Sequence, residues 1–255
     1  MSPKFVGAIR ESPLHLGFAL PKCVSPEDQF LAAGERMERV LEPEVMDSWE
    51  DATAYDRMDF LEVNTAFAES AIAVGPESAL VLDAGTGTAR IPILIVQRRP
   101  QWHIKAIDLS HNMLQVGREN VQAAGLQEQI HLEYIDAKQM PYHDSTFDMV
   151  ISNSIIHHLP DPMPFFQELK RVLKPNGGIF LRDLMRPSDI EIVYKIVARI
   201  GPEYNDYQIQ LFQDSLIAAF TLEEVQNIIE MAGLEGVKVY ASSDRHWTAE
   251  RDYRK

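Results

Sequence analysis

Three apolar runs in this chain each end in an aspartate, and the first is followed at once by two glycines. Leu80-Val81-Leu82-Asp83-Ala84-Gly85-Thr86-Gly87 reads as a buried strand that breaks into a tight loop. A residue without Cβ turns sharply and lets a ligand lie directly against the backbone, so a nucleotide-like cofactor is expected here. Thr88 to Gln97 reads as a helix pointing its N-terminus back at that loop, with Pro92 tolerated in the first turn, where amides have no intrahelical partner. Free amides and a positive helix end attract anionic groups. Trp102 to Ser110 is a second strand ending at Asp108, about twenty residues past the glycines, where a carboxylate can accept from both ribose hydroxyls. Ile130 to Ala137 repeats the pattern at Asp136, and Phe147 to Asn153 is a fourth strand ending in polar Asn153 and Ser154. In an open parallel sheet these ends face one crevice. The plain structural alternatives are a glycine loop that only turns the chain, Asp108 as a neighbour of a helix cap, and Met113 as core.

Taken in order, Val81-Leu82-Asp83-Ala84-Gly85-Thr86-Gly87, Ala106-Ile107-Asp108-Leu109-Ser110, Tyr134-Ile135-Asp136-Ala137, Phe147-Asp148-Met149-Val150-Ile151-Ser152-Asn153 and Leu173-Lys174-Pro175-Asn176-Gly177-Gly178 resemble the class I S-adenosylmethionine-dependent methyltransferases over residues 78–184. Tyr55-Asp56-Arg57-Met58 is similar to a tyrosine-containing segment of the ubiquinone/menaquinone C-methyltransferase group, which acts on small molecules. The resemblance implies S-adenosyl-L-methionine as cofactor. It implies that Asp83, Gly85 and Gly87, with Ala84 and Thr86 in the same loop, meet the methionine portion, and that Asp108 holds the ribose. Leu109 and Met113 would flank the adenine, Asp136 beside Ala137 would accept from its exocyclic amine, and Asn153 and Ser154 would line the side near the sulfonium. Tyr55 joins this set through its own segment. An acidic pocket suits a ligand that carries sulfonium and ammonium cations.

Methyl transfer by in-line displacement asks mainly for alignment. A base helps when the acceptor arrives protonated, and histidine titrates near neutrality. His157 and His158 follow the fourth strand, and Arg182 and Asp183 lie on the fifth. His157 and Asp183 are the expected catalytic residues. The competing readings are a packing histidine and an internal Arg182–Asp183 ion pair. Two other functional classes share parts of the pattern. An NAD-dependent oxidoreductase would share the glycine turn and the ribose acid, but it normally carries a third glycine where this chain has Arg90. A noncatalytic cofactor-binding protein would keep the pocket alone.

The elements that must position these residues follow from periodicity. Residues 1–25 read as a loose Pro-rich arm, and 26–47 and 56–74 as helical stretches able to cover the crevice. Strands and helices then alternate through residue 184, which argues for a parallel sheet. The stretch 162–174 reads as a helix with Phe165, Phe166 and Leu169 on its core face, closed by Lys174-Pro175-Asn176-Gly177-Gly178. Residues 188–219 form a long helical insertion, Thr221 with Glu224 opens a further helix by a capping box, and two strands from Val237 to Ala241 and Arg245 to Thr248 close the sheet. The expected fold is α/β: a Rossmann-like, doubly wound seven-stranded sheet, mostly parallel with an antiparallel edge strand. Helices lie on both faces, and an arm and helical cap (1–75) precede a main domain (76–255).

With 255 residues, 45% hydrophobic and 24% charged, the composition is globular. A net charge of −14 disfavours a nucleic-acid partner, which needs a basic patch. No apolar run approaches eighteen residues and the N-terminus lacks the apolar core of a signal peptide, so a cytoplasmic location is expected. The single Cys23 makes no internal disulfide and no Cys/His zinc spacing is present, so no metal is expected. The partner these features favour is a small-molecule acceptor, aromatic or quinone-like by analogy with the family.

Overall fold

The computed structural model describes residues 37–42, 47–199 and 205–254. The seven strands are β1 (Ala79–Ala84), β2 (Trp102–Asp108), β3 (Ile130–Tyr134), β4 (Phe147–Asn153), β5 (Leu173–Leu184), β6 (Lys238–Ala241) and β7 (His246–Arg251). They form one sheet in the order β3-β2-β1-β4-β5-β7-β6. Pairs β1 to β2, β2 to β3, β1 to β4 and β4 to β5 are parallel. The antiparallel edge is a β6–β7 hairpin, whose β7 pairs antiparallel with both β5 and β6. Strand order reverses on either side of β1, so the loops after β1 and β4 diverge and leave a crevice at the carboxyl ends.

Helices cover both faces. Helix α2 (Leu61–Val74), α3 (Arg90–Arg98) and α4 (His111–Ala124) belong to the face whose core holds Phe67, Ala71, Ile95, Val121 and Phe180. Helix α5 (Met163–Val172) and α8 (Leu222–Met231) give Phe165, Phe166, Leu169, Val225 and Ile229 to the opposite core. Phe165 and Phe166 are fully buried, as the helical spacing predicts. The Thr221 capping box is present, with Glu224 N–H donating to Thr221 Oγ1 and the Glu224 carboxylate accepting from Thr221 N.

Four stretches differ from the sequence reading. The helical stretch 56–74 is broken: α1 (Trp49–Arg57) ends before an extended Met58, and Asp59 Oδ1 accepts from Leu61 N, a local bond that competes with helix continuation. Arg90 holds the break by donating to the carbonyls of Asp56 and Met58, the latter at 2.7 Å. The turn expected at 174–178 survives as a bulge within β5, because Phe147 pairs with Leu173 and Met149 with Gly178. The insertion at 188–219 contains α6 (Ile190–Val197) and α7 (Asp206–Ala218), with 200–204 outside the described residues. The arm expected over 1–25 also lies outside them, and 37–42, within the expected helix 26–47, is not helical. Among the described residues no helix is long and apolar enough to cross a membrane.

Candidate active site

The crevice is walled by the loops after β1, β2, β3 and β4, with Tyr55 of α1 on its rim. The β1 loop is tied to β2, since Gly85 N and Thr86 N both donate to the carbonyl of Ile107, at 2.9 and 3.0 Å. Gly85 has φ +76°, and a Cβ there would stand 1.9 Å from Ile155 Cγ2. Only a glycine lets the β1 and β4 loops close on each other. Gly87 has φ +55°, and a Cβ there would meet nothing nearer than Tyr55 Cε1 at 3.9 Å, so its backbone is open to a ligand. Ser152 Oγ fastens the neighbouring strand ends by donating to the carbonyl of Ala84 at 2.8 Å.

Asp108 closes β2 beneath this loop. Its Oδ2 accepts from Gly87 N at 2.8 Å and its Oδ1 from Ser110 N at 2.9 Å. Burial pushes the carboxyl up from its usual range, and these amide bonds oppose that rise. The N–H groups of Ser110, Gly87 and Leu109 all act on the carboxylate, which steadies its own loop and keeps lone-pair capacity for a ligand hydroxyl. The helix cap itself belongs to Ser110, whose Oγ accepts from Met113 N. Asp136 Oδ1 accepts from Lys138 N and pairs with Lys138 Nζ at 3.2 Å. Leu109, Met113, Ala137, Asn153 and Ser154 also line the crevice, and Ser154 adopts φ 59°, an uncommon backbone state at the mouth of the site. Met113 additionally packs with Ala52 and Val116, so the core and the wall readings are both met.

Asp83 and Ala84 do not reach the crevice surface; they are buried at the end of β1. Asp83 Oδ2, Thr86 Oγ1 and Thr88 Oγ1 are buried with no hydrogen-bond partner among the described residues. Burial raises the Asp83 carboxyl to about 7. Unsatisfied polar atoms behind a glycine loop are costly unless a ligand supplies charge and donors. A cation-bearing adenosyl cofactor fits this donor set, with ribose acceptors at Asp108 and orphaned oxygens at the loop.

The expected catalytic pair lies inside the wall. His157 and Asp183 are 4% and 1% exposed, and neither lines the crevice. Asp183 Oδ1 stands 2.5 Å from His157 Nδ1 and accepts from Leu184 N, while Oδ2 accepts from Ile156 N at 2.6 Å. Asp183 thus holds the short helical turn Ile156–His158 onto β5. Burial pushes Asp183 up, but the His157 charge and these hydrogen bonds outweigh it and leave the carboxyl below its usual range. Burial lowers His157, and Asp183 with Glu42 reverses that into a net rise. Arg182 makes no ion pair with Asp183; its Nε donates to Thr248 Oγ1, and its guanidinium lies 5.2 Å from the Phe180 ring. His158, the other histidine of the motif, does line the crevice, as do Ile155 and Leu159. Nothing in the sequence separates the two histidines or marks Ile155 and Leu159 as wall residues.

The comparisons agree with this geometry. Residues 77–233 match the family model described as "Methyltransferase domain". The demethylmenaquinone methyltransferase of Bacillus cytotoxicus is 33% identical over 173 residues, covering 62% of this chain and 70% of that protein. That of Bacillus cereus is 30% identical over 170 residues, with the same coverage. Among solved structures, a SAM-dependent methyltransferase from Aquifex aeolicus superposes with TM-score 0.59 at 21% identity, over 80% of this chain and 98% of that one. The cyclase SpnF has the same fold with TM-score 0.53 at 17% identity, over 82% of this chain and 66% of that one. The match across the sheet and its loops shows that this chain belongs to the methyltransferase domain family, as a class I enzyme that uses S-adenosylmethionine.

Proposed function

We propose that this chain methylates a small, quinone-like aromatic acceptor. The reading is supported chiefly by the wall beyond Ser154, where apolar Ile155 and Leu159 flank His158, together with the similarity to demethylmenaquinone methyltransferases. S-adenosylmethionine supplies the methyl group as an electrophile on a sulfonium sulfur. Asp108 orients the ribose, Leu109 and Met113 enclose the adenine, and Asp136 accepts from its amine. The Gly85–Gly87 loop holds the methionine end with Asp83 buried behind it, Asn153 and Ser154 lie on the sulfonium side and Tyr55 at the rim. Loop closure over a flat apolar acceptor excludes water and sets the line of attack, the main demand of this displacement. His158 is the titratable side chain on that wall and orients the acceptor's oxygen. His157 and Asp183 act through it, as positioning residues that fix the turn.

The test has two arms. Thermal shift should show stabilisation by S-adenosylhomocysteine and none by NAD; stabilisation by NAD alone would overturn the cofactor assignment. Incubation with S-adenosylmethionine and a demethylated naphthoquinol should give the methylated ring by mass spectrometry. His158→Ala should lower kcat far more than it weakens S-adenosylhomocysteine binding. Methylation confined to protein or RNA would sink the acceptor reading.

A further inference from the structure

Glu42, His157 and His158 bring one ligand atom each to within 4.8 Å of one another. Glu42 Oε1 stands 3.3 Å from His157 Nε2 and 3.2 Å from His158 Nδ1. Oε1 has no aligned hydrogen-bond partner among the described residues, and the Glu42 side chain is only 9% exposed. Two ring nitrogens therefore crowd a carboxylate oxygen without aligning a donor on it. The other Glu42 oxygen is occupied, since Ser215 Oγ donates to it at 3.0 Å, so the carboxylate is fixed with its free oxygen toward the histidines.

A metal ion accounts for this arrangement. Ligands held at zinc distances in a tetrahedron are separated by about 3.3–3.5 Å, and their lone pairs converge on the ion rather than on each other. The outer contact is also in place. Asp183 Oδ1 accepts from His157 Nδ1–H, so a metal that displaces the other ring proton would find Nε2 as the electron-pair donor, the carboxylate–histidine pattern of metal sites. Arg39 holds the same turn by donating to the carbonyls of His157 and Leu159, both at 2.8 Å, so the ligand backbone is braced.

We propose that Glu42, His157 and His158 form a divalent metal site of the zinc class, with Asp183 supporting His157 from behind. The described residues supply three protein ligands of a four-coordinate site, and because His158 lines the crevice, the ion would stand at its wall. The site shares His158 with the acceptor wall, but metal binding is read without any acceptor present. Sequence spacing hides it, because Glu42 is far from the histidine pair in the chain and the motif contains no cysteine.

The experiment uses the full chain, stripped with a chelator and titrated with Zn2+ by calorimetry and with Co2+ by visible absorption. One ion per chain is expected, with Co2+ giving the intense bands of a four-coordinate site. Glu42→Gln and His158→Ala should each abolish the tight phase, and Asp183→Asn should weaken it by roughly 10–100-fold. The exposed His103→Ala should leave it unchanged. Circular dichroism confirms that each variant is folded, and Zn2+ should raise the melting temperature of the parent but not of folded Glu42→Gln. No binding to the stripped parent would overturn the proposal, as would tight binding retained in both Glu42→Gln and His158→Ala.

Discussion

Asp83 lies at the end of a buried strand with one oxygen lacking a well-aligned hydrogen bond, and burial, opposed by the nearby Thr86 hydroxyl, raises its carboxyl to about 7. A carboxyl with a raised pKa in the fold favours the folded state at low pH, where it stays protonated. That stability is complete below the ordinary aspartate range and is lost as pH rises through about 7. The melting temperature of the ligand-free protein should therefore fall between about pH 5 and about pH 8 through this residue, and Asp83→Asn should flatten the fall. Saturating S-adenosylhomocysteine should also reduce it, by placing a cation near the ionised form. Scanning calorimetry across that range checks all three. The two loop glycines separate stability from binding in the same way. Gly85→Ala drives a Cβ into Ile155 and should cost on the order of 1–3 kcal/mol in urea unfolding. Gly87→Ala has room at 3.9 Å and faces mainly the left-handed backbone penalty of about 1 kcal/mol, so its larger effect should be on cofactor affinity.

Among the elements, those that read clearly from sequence repeat a single signal, an apolar run closed by a carboxylate or a glycine turn. Strand β1 is buried along most of its length, and β2 buries Trp102, Ile104, Ala106 and Ile107 while His103 stays exposed, so the apolar runs mark both as strands of a covered sheet. The capping box at Thr221 reads as clearly, because its two bonds depend on residues three apart. The broken helix at Met58 did not, because its cause is spatial: the guanidinium of Arg90 draws the carbonyls of Asp56 and Met58 from a distant helix. Residues 37–42 are a second case. They have no helical bonds of their own and are held by Arg39, whose Nε donates to the carbonyl of Ala218 at 2.6 Å and whose guanidinium covers the Phe220 ring. Arg39→Ala leaves several half-buried carbonyls short of a donor and should destabilise the fold by about 1–3 kcal/mol, read by denaturant unfolding. Arg39→Lys should recover only part of that, since an ammonium cannot span the same set of carbonyls.

Across the whole molecule, the strand order follows from right-handed crossovers once four βα units are recognised, which is why the first five strands were legible. The path of the hairpin was not. A closing pair of strands is visible from Val237 onward, but which of them joins β5 depends on Trp247 and Thr248 being completely buried, a property of the assembled sheet. The site divides along the same line. The residues proposed to hold the cofactor lie at strand ends, where topology fixes their place, and Asp108, Gly87 and Asn153 line the crevice. Which histidine faces a substrate is decided by a one-residue rotation in the Ile156–His158 turn, and the partner that fixes this rotation, Asp183, is on another strand. The cyclase SpnF has the same architecture, so the acceptor must be argued from the wall and never from the fold.

The close approach of Ile155 to Gly85 joins the loop proposed to grip the donor to the loop proposed to face the acceptor, with no space for a Cβ between them. Ligands on the two sides are then thermodynamically linked, and any gain in acceptor affinity caused by bound donor must be returned as an equal gain in donor affinity. Titrations with S-adenosylhomocysteine, run with and without a saturating naphthoquinol, should give unequal dissociation constants in the parent. Ile155→Ala, which loosens the joint, should bring them together.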